Sequence, residues 1–79
     1  MAVKAFVFIE ATIGKTREVV TALEKLEGVK SVDAVTGPYD VIAVIEMPDV
    51  NAIGDLVAKQ IHSVSGIART VTCLTPRLE

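Results

Sequence analysis

Residues 29–47 read Val29-Lys-Ser-Val-Asp-Ala-Val-Thr36, Gly37-Pro38-Tyr39-Asp40, Val41-Ile-Ala-Val-Ile-Glu-Met47. Two runs rich in β-branched residues flank a stretch of turn chemistry, which is the signature of a hairpin. Pro38 suits the second position of a type I or II turn because its ring fixes φ. One strand-like and one helix-like run lie on each side, so the chain reads β-α-β-turn-β-α-β with the hairpin at its midpoint.

Outward from the hairpin, Val3 to Glu10 places Val3, Ala5, Val7 and Ile9 on one face and Phe6 and Phe8 on the other. Both faces are apolar, so this strand belongs in the middle of a sheet. Val41 to Met47 is apolar on both faces in the same way, through Val41, Ala43, Ile45 and Met47 against Ile42 and Val44. Val29 to Thr36 carries Lys30, Ser31 and Asp33, and Ile67 to Thr75 carries Thr70 and Thr72. These two read as edge strands.

From Lys15 to Glu27 the period becomes helical, with Val19, Leu23 and Leu26 buried and Gly28 as the left-handed residue that closes the helix. Asp49 is the expected N-cap of a second helix whose buried stripe is Val50, Ile53, Val57, Ile61 and Val64. Gly54 inside it costs about 1 kcal/mol relative to Ala, so a close contact is expected there. Gly66 ends this helix as Gly28 ends the first. Leu26-Glu-Gly-Val29 and Val64-Ser-Gly-Ile67 repeat one plan, and right-handed crossovers then give a ferredoxin-like α+β sandwich with antiparallel strand order 4-1-3-2.

The chain has 79 residues, room for one domain (1–79), and a domain this small buries about 60% of its unfolded surface. Two helices cover one face of a four-stranded sheet, which leaves an apolar face exposed. Such a face marks an interaction surface, and a second copy packed sheet to sheet is the economical cover. A homodimer is therefore expected.

Eight basic and ten acidic residues give a net charge of −2 with no basic cluster, which disfavours a charge-driven nucleic-acid surface. A single cysteine, Cys73, and no leader pattern make the cytoplasm the expected compartment. No run approaches the roughly 20 apolar residues of a membrane helix. No metal, nucleotide or phosphate motif is present, so neither catalytic residues nor cofactors are expected. His62, the one histidine, reads as a partly exposed helix residue, and Cys73 as a small buried hydrophobe.

The turn is the chemically suggestive stretch. Gly37 lets backbone approach a ligand, Asp40 supplies a carboxylate, and Tyr39 an amphipathic wall, a set that suits a free amino acid. The plainer reading is a hairpin turn whose Asp40 hydrogen-bonds its own backbone.

Val29-x-x-Val32, Thr36-Gly-Pro-Tyr-Asp-Val41 and Ser65-Gly-Ile-Ala-Arg-Thr-Val-Thr72, in their order across the chain, resemble the C-terminal effector domain of the Lrp/AsnC regulators in a stand-alone form. The resemblance implies sheet-to-sheet dimers of the dimeric αβ-barrel type, rings such as octamers, and amino-acid effectors held between dimers near the turn. Mapped onto this chain, the implied effector-binding residues are Gly37, Tyr39 and Asp40, with Thr70 and Thr72 from the last strand. The family's regulators carry an N-terminal helix-turn-helix, whereas here the first strand begins at about Val3. Without a DNA reader the output would run through a full-length Lrp/AsnC regulator, through an enzyme, or by another route. The rival reading is a small monooxygenase-like dimeric enzyme, which one histidine and three aromatic residues fit poorly. A ligand-free assembly module is the third.

Overall fold

A computed structural model describes residues 2–76; the expected domain, 1–79, runs beyond them at both ends. The elements in order are β1 (Val3–Ala11), α1 (Thr16–Glu24), β2 (Val29–Ala34), β3 (Val41–Met47), α2 (Val50–Asp55) running directly into a π-helical segment (Leu56–Ile61), and β4 (Ile67–Leu74). The four strands form one antiparallel sheet ordered β2-β3-β1-β4. Read from the other edge, this is the expected 4-1-3-2, and the fold is the ferredoxin-like sandwich.

Alternation in the two central strands decides which face is which. Ala5, Val7 and Ile9 of β1 and Val41, Ala43 and Ile45 of β3 are fully buried under Val19 and Leu23 of α1 and under Ile53, Leu56 and Ile61. Complete burial of a Val, Leu or Ile side chain contributes about 1.5–3 kcal/mol, so this layer holds the chain together. The opposite face carries Phe6 and Phe8, which pair with Val44 and Ile42 on one side and with Cys73 and Val71 on the other. Phe6, Phe8, Ile42, Val44 and Val71 are half-buried, for no helix lies over them.

The helices depart from the sequence pattern in four places. α1 stops at Glu24 rather than Glu27, because Lys25 and Leu26 donate to carbonyls three residues back and tighten the chain into successive turns. Gly28 does adopt a left-handed φ of 96°, but beyond those turns and not directly after the helix. The second helix is not α-helical throughout. His62 N–H donates to the Val57 carbonyl five residues back at 2.9 Å, and the widened turn lets Leu56 and Ile61 share the buried side. Leu56 thus belongs to the core, while Val50, expected in the buried stripe, is 53% exposed. The N-cap holds as expected: Asp49 accepts from Ala52 N–H at 2.8 Å.

The expected close contact at Gly54 is absent, since a Cβ there meets nothing within 4 Å and the residue is exposed. Its φ is not positive. Gly54→Ala is therefore expected to stabilise the fold by about 0.5–1 kcal/mol, by removing backbone freedom from the unfolded chain. Chemical denaturation with an unchanged m-value and a higher midpoint checks this; a lower midpoint refutes it.

Candidate functional site

Strand register brings four segments to one end of the sheet. Ile9 and Ala34 both lie opposite Val41, and Ala11 lies opposite Ile67. The end of β1, the β2–β3 connection and the start of β4 therefore meet, with the β1–α1 loop beside them.

Asp40 organises this end. Its backbone N–H donates to the Ile9 carbonyl at 2.9 Å, its carbonyl accepts from Val35 N–H at 2.9 Å, and its carboxylate Oδ2 accepts from Ala11 N–H at 2.8 Å. The last bond falls beyond the Ile9–Val41 pair, where β1 runs past the start of β3, so the carboxylate satisfies a backbone donor that β3 leaves unpaired. Asp40 does bond backbone, but 29 residues away in sequence and not within its own turn. Tyr39 lays its ring against Phe8, centroids 5.4 Å apart and tilted by 45°, which puts it on the uncovered sheet face. Gly37 is exposed with φ 145°, and a Cβ there meets nothing within 4 Å. The backbone is open to approach at that point.

Thr70 and Thr72 stand apart from the turn within one chain. They lie opposite Ile9 and Val7 on β4, and β1 separates β4 from β3. Thr72 is exposed, whereas Thr70 is half-buried with its Oγ1 2.8 Å from His62 Nε2. His62, Ile67, Ala68, Arg69 and Thr70 line an open recess of about 280 Å³. Arg69 Nη1 lies 3.7 Å from Glu10 Oε2 across the strand pair, and both side chains are exposed.

As members of a site, His62 and Arg69 escape a reading of the sequence. The link between His62 and Thr70 depends on the π-helical segment that sets where the helix ends, and no helical template carries that. His62 is exposed, as expected. Cys73, expected to be buried, is exposed: it lies across from Phe6 on the uncovered face. Among the described residues no group of three or more His, Cys, Asp and Glu is placed to hold a metal ion, and no helix is long and apolar enough to cross a membrane.

A model of the family described as "Lrp/AsnC ligand binding domain" matches residues 4–76. Among solved structures, the protein TTHA0845 from Thermus thermophilus is 35% identical, with a TM-score of 0.92 over 98% of this chain and 96% of its own. E. coli AsnC gives a TM-score of 0.89 at 19% identity over 96% of this chain and 52% of its own. The transcriptional regulator NMB0573 of Neisseria meningitidis, solved as an L-Met complex, gives 0.85 at 21% identity over 95% of this chain and 50% of its own. At those identities the last two speak for the shared fold, and this chain spans about half of each. No curated protein matches the chain.

Proposed function

The chain belongs to the Lrp/AsnC ligand binding domain family, and from that premise we propose that it is a non-enzymatic amino-acid sensor and assembly domain. Two chains pack through the face carrying Phe6, Phe8, Ile42, Val44 and Val71, and such dimers join further into a ring. The effector sits at a boundary between protomers, with Gly37, Tyr39 and Asp40 supplied by one chain and Thr70 and Thr72 by another. This division fits the separation of the two groups by β1 within a single chain. Ile13, fully exposed in the loop beside the turn, supplies apolar surface for contact between dimers.

The observation that carries the reading is the anchored turn. A carboxylate bonded to Ala11 N–H, an aromatic wall and an unobstructed glycine stand together on a rigid sheet end, as recognition of a small zwitterion requires. The L-Met bound by the Neisseria regulator supports an amino acid as the ligand class. In this reading the domain acts in the cytoplasm and transmits its ligand state to a full-length Lrp/AsnC regulator, without contacting DNA itself. Its net charge of −2 favours that route over direct DNA binding.

Titration calorimetry against the amino acids tests the proposal. In Asp40→Asn the amide oxygen still accepts from Ala11 N–H, so the turn keeps its anchor while the negative charge is lost. A charge-assisted hydrogen bond contributes roughly 1.5–3 kcal/mol, so binding is expected to weaken by about 10- to 100-fold. Unchanged affinity in a variant with unchanged assembly refutes the role of Asp40. A parent protein that binds no amino acid refutes the sensor reading.

A further inference from the structure

We propose that the recess on the edge of β4 lined by His62, Ile67, Ala68, Arg69 and Thr70 is a carboxylate-binding site, and that the effector's carboxylate is its occupant. It rests on the effector reading for the identity of that occupant and on nothing else.

The lining is rich in donors and holds no acidic residue. Arg69 pairs with Glu10 on the sheet face that carries Phe6 and Phe8, and because β4 is an edge strand its side chain can turn round that edge into the recess, bringing a guanidinium with five N–H donors in a fork that matches a carboxylate. Its acidic neighbour among the described residues, Glu10, lies at 3.7 Å, too far for a good hydrogen bond, and both side chains are open to water. Such a pair is weakly held, so the guanidinium is free to turn to a better partner.

His62 and Thr70 supply the second grip. Their 2.8 Å contact forms with either group as donor. An anion in the recess selects one arrangement: His62 Nε2–H donates to Thr70 Oγ1, and the threonine hydroxyl proton turns toward the ligand. The volume of about 280 Å³ lies just below the range of drug-sized pockets and suits a metabolite the size of an amino acid.

Nuclear magnetic resonance titration of the intact protein with acetate, inorganic phosphate and the amino acids at constant ionic strength tests this. Acetate is expected to shift the His62 ring and the 67–70 amides and to saturate at a dissociation constant on the order of millimolar. Arg69→Gln is expected to weaken that binding by about 10- to 100-fold. Glu10→Gln, which removes the competing carboxylate, should tighten it several-fold, an effect that a merely structural role for Arg69 would not produce. Thr70→Val should weaken it while preserving the strand.

The inference is overturned if acetate leaves these resonances unmoved, if phosphate moves them and acetate does not, or if Arg69→Gln binds acetate like the parent. Amino acids that bind at the turn without shifting His62 also overturn it, and leave the sensor reading standing. Acetate binding with the expected variant pattern, in a protein that binds no amino acid, upholds the carboxylate site and overturns both the sensor reading and the effector as its occupant.

Discussion

Val44→Asp is expected to sediment as a folded single chain under conditions where the parent sediments as a dimer or larger. Val44 lies between Phe6 on β1 and Ser31 on β2, on the face away from the helices, and is half-buried in one chain. A carboxylate there can reach water in the isolated chain, so the helix-side core is left intact. In a two-fold, sheet-to-sheet dimer the same substitution buries two unpaired charges, each costing several kcal/mol. An interface of this kind buries about 1,600 Å² or more. A penalty of about 4 kcal/mol already weakens association about a thousand-fold. Sedimentation with circular dichroism decides the matter: a folded monomeric parent, or a variant that still assembles at the same concentration, removes the dimer.

Gly66→Ala is expected to cost about 2–5 kcal/mol of stability, a large part of what a domain of this size possesses. Two effects add. The backbone at Gly66 has φ 98°, a region in which an L side chain costs roughly 1–2 kcal/mol. A Cβ there would also stand 2.8 Å from Lys15 Cβ and 3.2 Å from Val19 Cγ2, an overpacking of the kind that costs roughly 1–3 kcal/mol. Relief by movement is restricted, because the Gly66 carbonyl accepts from both Thr12 N–H at 2.7 Å and Thr12 Oγ1 at 3.0 Å. Gly28 offers a contrast at a similar φ. Its nearest obstacle is Met47 Sδ at 2.6 Å, on a flexible side chain, so its alanine variant should suffer less. Melting at fixed protein concentration is the check, and a Gly66→Ala midpoint within a degree or two of the parent contradicts the argument.

Period-two patterning made the sheet legible. Apolar residues on both faces of β1 and β3, Phe6 and Phe8 among them, marked the centre, Lys30 and Asp33 marked one edge, and the order of strands followed from handedness. The second helix was less legible, because the π turn over Leu56–Ile61 leaves no mark of its own in a 3.6-residue pattern, which the buried Ile53, Leu56 and Ile61 also fit. Cys73 misled for a different reason. A small apolar side chain on a strand suggests burial, yet a residue opposite Phe6 is covered only if something lies on that face. At the candidate site, Gly37, Tyr39 and Asp40 could be singled out because their chemistry is local to the turn. The partner of Asp40, Ala11 N–H, is 29 residues distant and is available because β1 runs past the start of β3. Likewise, nothing in the spacing of His62 and Thr70 announces their contact.

The π-helical segment Leu56–Ile61 gives the chain a tolerance for length that its strands lack. A π turn is an α turn holding one surplus residue. Deleting exposed Ala58 would let the segment rewind as α-helix with Ile53 and Ile61 still in phase on the core side. A one-residue deletion inside β1 or β3 would instead exchange the two faces of the strand beyond it. Along this sequence, shortening by a single residue is therefore best accommodated immediately before His62, the one place where a change of length also retunes how that ring meets Thr70.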